Sequence, residues 1–237
     1  MNMDTRYRTE ENEIMDDFAL EGEELRQALD NIAHINRLLG GNSVTLQAIK
    51  KLLKKADIDK VISIVDVGCG NGDMLRMLAG FGKKTGVQFR LTGIDANRFT
   101  INYATQLSSA HSNISYKCLD VFSPEFRQEN YDIVLCTLTL HHFKDDQVLK
   151  IISIFSENAR IGVVINDLHR SRIAYSLFRI IAFVFNMNAM AREDGLTSIL
   201  RGFTKKELQK FAVRLSLKDS TIRWKWAFRY QWIISNI

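Results

Sequence analysis

The stretch SIVDVGCGNGDMLRMLA, from Ser63 to Ala79, constrains the fold more than any other part of the chain. It opens as a short, continuous, β-branched apolar run, the pattern of a strand buried on both faces. Three glycines follow at alternate positions, Gly68, Gly70 and Gly72, and apolar residues then recur at helical spacing. A strand, a bare turn and a helix in that order begin a βαβ unit, and a strand buried on both faces needs helices on either side of a parallel sheet. Glycine in the turn permits positive φ and lets a ligand approach the main chain. A helix opening there presents free N–H groups to an anion.

The rest of the chain repeats the alternation. Residues 20–39 place Leu25, Leu29, Ile32, Ile35 and Leu39 at helical spacing, ended by Gly40 and Gly41. SVTLQAIKKLLKKA reads as a second helix. After KVISIVDVG come a helix over 72–82, the strand FRLTGID, the helix NRFTINYATQLSS and the strand ISYKCLDV. The strand YDIVLCTLTL, the helix DDQVLKIISIFSENA, the strand IGVVINDL and a long apolar helix from about Arg172 follow. STIRWKW and FRYQWIIS are strand-like with too little chain between them for a helical crossover, so they should pair antiparallel. In GFTKKELQKFA, Thr204 and Glu207 form a capping box, with Phe203 and Leu208 as its hydrophobic staple. The pattern predicts an α/β, doubly wound sheet of five parallel strands closed by an antiparallel C-terminal pair. An N-terminal helical extension over 1–58 precedes a domain over 59–237, with an apolar helical insertion at about 171–200.

Hydrophobic residues make up 46% of the 237 and charged residues 25%, enough for a real core. No apolar stretch reaches the roughly 18 residues that span a bilayer. The polar, acidic N-terminus is not a secretory signal. Cys69, Cys118 and Cys136 are odd in number, far apart and without a CxxC pair, which suggests neither a zinc site nor a disulfide framework. A cytoplasmic protein is expected. Residues 1–31 hold ten Asp/Glu and three Arg, a local charge of −7 within a chain of net charge +5. That segment reads as a solvated acidic helix. The basic remainder could meet an anionic partner, but no Lys/Arg run exceeds two residues and nucleic acid is not expected.

The glycine loop lacks the Lys of a phosphate-binding P-loop. It also differs from the GxGxxG dinucleotide fingerprint, since Asp73 falls where the third glycine belongs and an acid, Asp66, stands two residues before Gly68. Asp95 ends the second strand a little over twenty residues beyond the last glycine, where a carboxylate can accept both ribose hydroxyls or cap the helix that begins near Asn97. Asp120 ends the third strand. It could accept from the exocyclic amine of an adenine while the Val121 N–H donates to the ring and Phe122 packs on its face; alone, it would read as a turn residue. Together these residues resemble the class I S-adenosylmethionine-dependent methyltransferases, a Rossmann-like family, over about residues 35–237. Asp66, Gly68, Gly70 and Gly72 match the first motif, Asp95 the ribose acid and Asp120 the adenine acid. YDIVLCTLTLHHF, Tyr131 to Phe143, looks like the fourth motif in the form common among small-molecule enzymes. The resemblance implies S-adenosylmethionine as cofactor and S-adenosylhomocysteine as product. It places Ala96, Val121, Phe122 and Thr137 beside the cofactor as well. INRLLGG, Ile35 to Gly41, looks like the helix that closes over the cofactor in ubiquinone/menaquinone C-methyltransferases. Asn36 or Arg37 could then reach the cofactor carboxylate, or Arg37 could simply sit at a helix C-terminus.

For the acceptor, CTLTLHHF has no NPPY-like motif, which disfavours nucleobase or amide N-methylation, and the paired acids of protein arginine methyltransferases have no match. His141 and His142 lie where the fourth strand should point at the reacting methyl, and a histidine suits a general base; one of the two should face the pocket. The fifth strand ends in INDLHRS, where Asn166 and Asp167 could form part of a metal site but lack a third ligand, so no metal is expected. His169, Arg170 and Phe178 are expected to bind the acceptor. The segment Arg172 to Ala191 reads as a buried helix, as a wall for a greasy acceptor helped by Met187 and Met190, or as a homodimer or membrane-surface face. A looser likeness, through EIMDD, INRLLGG, the His pair, NDLHRS and this helix, is to bacterial methyltransferases of polyketide, aryl-polyene or quinone-like pathways. It favours O-methylation of a small lipophilic phenol or enol. C-methylation of a quinol ring, or a non-catalytic cofactor-binding partner protein, are the alternatives.

Overall fold

The computed structural model describes residues 4–56 and 61–237. Its centre is a seven-stranded sheet in the order β3-β2-β1-β4-β5-β7-β6. The strands are β1 (Ile62–Val67), β2 (Phe89–Asp95), β3 (Ile114–Cys118), β4 (Tyr131–Thr137), β5 (Ala159–Leu168), β6 (Ser220–Lys225) and β7 (Arg229–Ser235). The first five run parallel, and β7 pairs antiparallel with both β5 and β6, as the patterning predicts. Side chains alternate between the two covered faces. Ile64, Ile133 and Leu135 enter the core under the helices α2 (Gly41–Leu53) and α3 (Asp73–Thr85). Val65, Val134 and Cys136 enter the opposite core under α6 (Asp145–Asn158) and α9 (Lys205–Arg214). The helix α4 (Arg98–Leu107) connects β2 to β3, and a single turn, α5 (Pro124–Arg127), starts on Pro124 behind an N-cap at Ser123. The capping box at α9 is present: the Thr204 N–H donates to Glu207 and the Thr204 hydroxyl accepts from the Glu207 N–H, while Phe203 and Leu208 are buried in one cluster.

Two expectations change. Residues 4–22 form no acidic helix. They run as an extended strap with one 3-10 turn, Ile14–Asp16, because the Asp194 carboxylate accepts from the Ile14 and Met15 N–H groups and fastens the strap to the helical cap. The first helix, α1 (Glu23–Leu38), begins only after that strap. The long apolar helix is two helices, α7 (Arg172–Val184) and α8 (Ala189–Arg201). Asn186 takes a left-handed φ of 47° and the Asn188 side chain accepts from the Ala191 N–H to start the second, both roles that asparagine fills well. The two N-terminal helices pack in different places. α2 lies in the core of the sheet, whereas α1 packs with α7 and α8 residues Ala182, Met190 and Ala191. The expected boundary at 58/59 lies outside the described residues.

The strand order reverses direction between β1 and β4, and an open α/β sheet has its crevice at the carboxyl ends of the strands flanking such a point. The strap and the α1/α7/α8 layer roof that crevice.

Candidate active site

A cavity of about 1270 Å³ opens at this switch point. Pockets for one drug-sized ligand run to roughly 300–1,000 Å³, so the volume has room for a cofactor and an acceptor together.

One end is built from the glycine loop. The Gly68 and Cys69 N–H groups both donate to the Ile94 carbonyl, folding the loop over the end of β2. Gly68, Gly70 and Gly72 take φ of 68°, 51° and 78°. A Cβ at Gly68 would run into the Thr139 side chain, whereas at Gly70 the nearest atom, Leu29 Cδ2, is 3.7 Å away. Gly70 is therefore the bare spot in the cavity wall. Gly72 is not among the lining residues; its Cβ would meet the Tyr116 hydroxyl, so close packing of α3 on β3 calls for glycine there. Asp66, Gly68, Gly70, Asp95, Ala96, Asp120, Val121, Phe122 and Thr137 all line the cavity. The Asp95 carboxylate accepts from the Gly70 N–H at 3.3 Å and the Asn97 N–H at 3.0 Å. Asp66 is buried and its Oδ1 has no hydrogen-bond partner. Burial first, and then the charge of Asp95, push the Asp66 carboxyl up to about 8; burial likewise raises Asp95. Two desolvated acids side by side form a site in which a positively charged ligand group is favoured. A nucleoside bearing a sulfonium and an ammonium supplies that charge, so the residues fit S-adenosylmethionine.

Of Asn36 and Arg37, it is Arg37 that lies outside the cavity, in the last turn of α1. It is exposed and ion-pairs with Asp73, which also accepts from Asn42 Nδ2 at 2.5 Å. The cavity is lined instead by the neighbouring Asn36, whose Nδ2 donates to Asn42 and whose Oδ1 accepts from Arg229.

At the other end both histidines line the cavity, where one was expected to. The chain leaves β4 through Leu138, at φ 53°, into a 3-10 turn, Leu140–His142. His141 is 2% exposed. Its Nδ1–H donates to Asp167 at 2.7 Å, and its Nε2 has no partner, the nearest acid being Glu13 Oε1 at 3.6 Å. The His142 Nδ1–H donates to Asp16 at 2.6 Å, with its Nε2 3.8 Å from Glu13 Oε2. The rings lie 4.4 Å apart. Glu13 also accepts from the Ser198 hydroxyl at 2.7 Å, yet burial pushes it up to about 7, the nearby His142 and Arg201 only partly opposing this. Arg201 and Arg8 clamp the turn by donating to the His141, His142 and Phe143 carbonyls. Glu13, Asp16, Arg8 and Arg201 were not anticipated as site residues. EIMDD entered only through the looser likeness, since nothing local in the sequence brings a segment 126 residues away against His142.

Among the described residues, Glu13, His141 and His142 are the group with donor atoms close enough for a metal ion, all within 4.8 Å. Arg201 Nη1 already stands 3.6 Å from Glu13 Oε1, so a fixed cation occupies the approach to that oxygen. The Asn166/Asp167 pair is otherwise engaged: Asp167 holds His141, and Asn166 donates to the Gly41 carbonyl and the Thr45 hydroxyl.

His169 and Arg170 are corrections, since neither lines the cavity. His169 accepts from the Trp224 indole N–H and packs on Phe228 and Tyr230. The Arg170 guanidinium is fully buried, pairs with Glu207 at 2.6 Å and donates to the Thr5 and Gly202 carbonyls. It ties the strap to α9 and is structural. Arg170→Ala is expected to destabilise the protein by about 2–3 kcal/mol, because the carbonyls and a half-buried carboxylate lose their partner. Urea unfolding measures this, and a change below about 0.5 kcal/mol refutes it. Phe178 does line the cavity.

Residues 64–162 match the family model described as a methyltransferase domain. The plantazolicin methyltransferase BpumL in complex with SAH superposes with a TM-score of 0.64 at 15% identity, over 90% of this chain and 96% of that one. A SAM-dependent methyltransferase from Aquifex aeolicus matches with a TM-score of 0.61 at 13% identity, over 92% and 100% of the two chains. Magnesium protoporphyrin IX methyltransferase (ChlM) from Synechocystis PCC 6803, with bound SAM, gives 0.53 at 14% identity, over 93% and 89%. Among curated proteins nothing matched.

Proposed function

We propose that this class I S-adenosylmethionine-dependent methyltransferase transfers its methyl group to a hydroxyl of a small, lipophilic phenol or enol. The reading is carried by one observation: a buried imidazole with an unpartnered Nε2 belongs to a cavity whose lining also holds the apolar side chains of Leu25, Phe178, Ile181 and Met187. BpumL, similar in fold, has been solved with a desmethylPZN analog and SAH together, which supports a shared cavity for both reactants.

The bound cofactor supplies an electrophilic methyl on a cationic sulfur. The chain's residues do the rest. Asp95 would hold the ribose hydroxyls, Asp120 and Val121 the adenine, and Gly70 leaves room at the wall. Asp167 accepts from His141 Nδ1–H and so keeps the lone pair on Nε2. That nitrogen would take the acceptor's hydroxyl proton and so activate the oxygen toward the methyl group that the bound cofactor would supply. Ionised Glu13, 3.6 Å from Nε2, then stabilises the imidazolium. Phe178 and its apolar neighbours exclude water and seat the acceptor.

Glu13 gives this step a pH signature. The groups facing it are His141 and His142 from the turn after β4, Asp16 from the strap, and Arg201 and Ser198 from α8. Its folded value, about 7, lies above its ordinary 4.5. Between those values the folded state holds a proton that the unfolded chain has released, so stability falls as pH rises through that window. The loss is on the order of 3 kcal/mol. Glu13→Gln is expected to flatten that slope in urea unfolding and to remove the rise in turnover near neutrality. Unchanged profiles would show that Glu13 does not titrate there.

The activity is tested by supplying methyl-labelled S-adenosylmethionine with a panel of long-chain phenols and enols. Label in an organic-soluble ether supports the reading. Label on ring carbon points to C-methylation, and no transfer to any member overturns it.

A further inference from the structure

The helix α7 carries an apolar face that nothing among the described residues covers. Ile173, Leu177, Ile180 and Val184 form one stripe at helical spacing, and they are 63%, 39%, 59% and 66% exposed. Phe183, beside the stripe, is 85% exposed. Arg172 and Arg179, seven residues apart, stand along one edge of it, and no Asp or Glu occurs from Ser171 through Arg192. The inner face of the same helix walls the cavity through Ala174, Leu177, Phe178 and Ile181. Leu177 is thus both cavity lining and outer surface, which places the stripe at the cavity's rim. Trp226, 62% exposed, lines the rim as well, and its neighbour Phe228 packs on the Ala174/Tyr175 cluster of α7.

We propose that this face docks the protein on an anionic lipid bilayer, with α7 lying in the plane of the interface and the cavity opening toward the acyl region. At 13 residues the helix is too short to cross a membrane. Large aliphatic and aromatic side chains flanked by arginines, with an exposed tryptophan nearby, are what an interfacial helix needs: apolar area to bury and cations for the headgroups. A second copy of the chain is disfavoured as the occupant. A two-fold contact through this face would set Arg172 and Arg179 against their own counterparts without an acid on the helix to answer them. The proposal extends the lipophilic-acceptor reading, since a greasy acceptor could pass from lipid into the cavity without crossing water, but its geometry does not depend on that reading.

The test is co-sedimentation of the full chain with vesicles, without acceptor. One set contains phosphatidylglycerol mixed with phosphatidylcholine and the other phosphatidylcholine alone. The protein is expected to pellet with the anionic vesicles and to be released by salt. Ile180→Ser with Phe183→Ser should weaken this binding by roughly tenfold or more, and Arg172→Gln with Arg179→Gln should abolish the preference for phosphatidylglycerol. These side chains are largely exposed, so circular dichroism and melting of the variants should match the parent. Failure to pellet with excess anionic lipid overturns the proposal. So does a concentration-dependent dimer, seen by sedimentation velocity, that the serine pair disrupts. Vesicle binding without methylation of any lipophilic acceptor would leave the docking face standing and remove the acceptor reading; methylation without vesicle binding would do the reverse.

Discussion

His141→Asn is expected to lower turnover by about 10²–10⁴-fold while leaving the affinity for S-adenosylhomocysteine within about twofold. The substitution is chosen for its geometry. The asparagine amide can still donate to Asp167, which sits 2.7 Å from His141 Nδ1, so the buried carboxylate keeps a partner and the turn keeps its shape. What disappears is Nε2, the buried, unpartnered nitrogen that faces Glu13. Alanine would confuse the result, because removing the donor to a fully buried acid destabilises the fold on its own account. His142→Asn is the comparison. Its ring is more open, its Nδ1–H is held by Asp16 rather than by a strand-end acid, and a smaller loss is expected. Equal losses would make the two rings one proton-accepting unit. Normal turnover in both variants would mean that alignment of the reactants alone drives the transfer and that no histidine serves as base.

The parts of this architecture written in local periodicity were legible without coordinates. The strand–glycine–helix unit, the alternation after it and the antiparallel finish all follow from side-chain spacing, and the sheet bears them out. The parts that failed depend on contacts between segments far apart in the chain. The acidic composition of residues 1–31 suggested a solvated helix, yet Glu13 and Asp16 are drawn inward by His142, Ser198 and Arg201. Arg170 sits two residues beyond β5, where a ligand contact is reasonable, but the backbone carbonyls of Thr5 and Gly202 reach it first. Gly72 belongs to a ligand-loop pattern and is needed for Tyr116 instead. A motif marks where chain geometry must be special, and tertiary packing decides what uses it.

Asp95 is the position where loss of one carboxylate should remove cofactor binding with least harm to the fold. Its oxygens accept from the Gly70 and Asn97 N–H groups, and its remaining lone pairs are available to ribose hydroxyls. Hydrogen bonds to a charged group contribute about 1.5–3 kcal/mol each. Asp95→Ala forfeits two of them, and the affinity for S-adenosylhomocysteine is expected to fall by about 10²–10⁴-fold. The empty protein should behave differently. Burial raises Asp95 above its ordinary value, which means the folded state tolerates its charge poorly when no ligand answers it. It also raises the neighbouring Asp66. Removing Asp95 therefore relieves an electrostatic cost while orphaning two N–H groups, and the two effects oppose each other. The melting temperature without ligand should change little, whereas the rise produced by saturating S-adenosylhomocysteine should vanish. Asp95→Asn sharpens the result, since its amide can still accept one hydrogen bond but cannot accept from both hydroxyls. An intermediate affinity is expected. If all three proteins gain the same melting shift from the ligand, the ribose is held elsewhere and Asp95 serves only to hold the Asn97 N–H and brace the glycine loop.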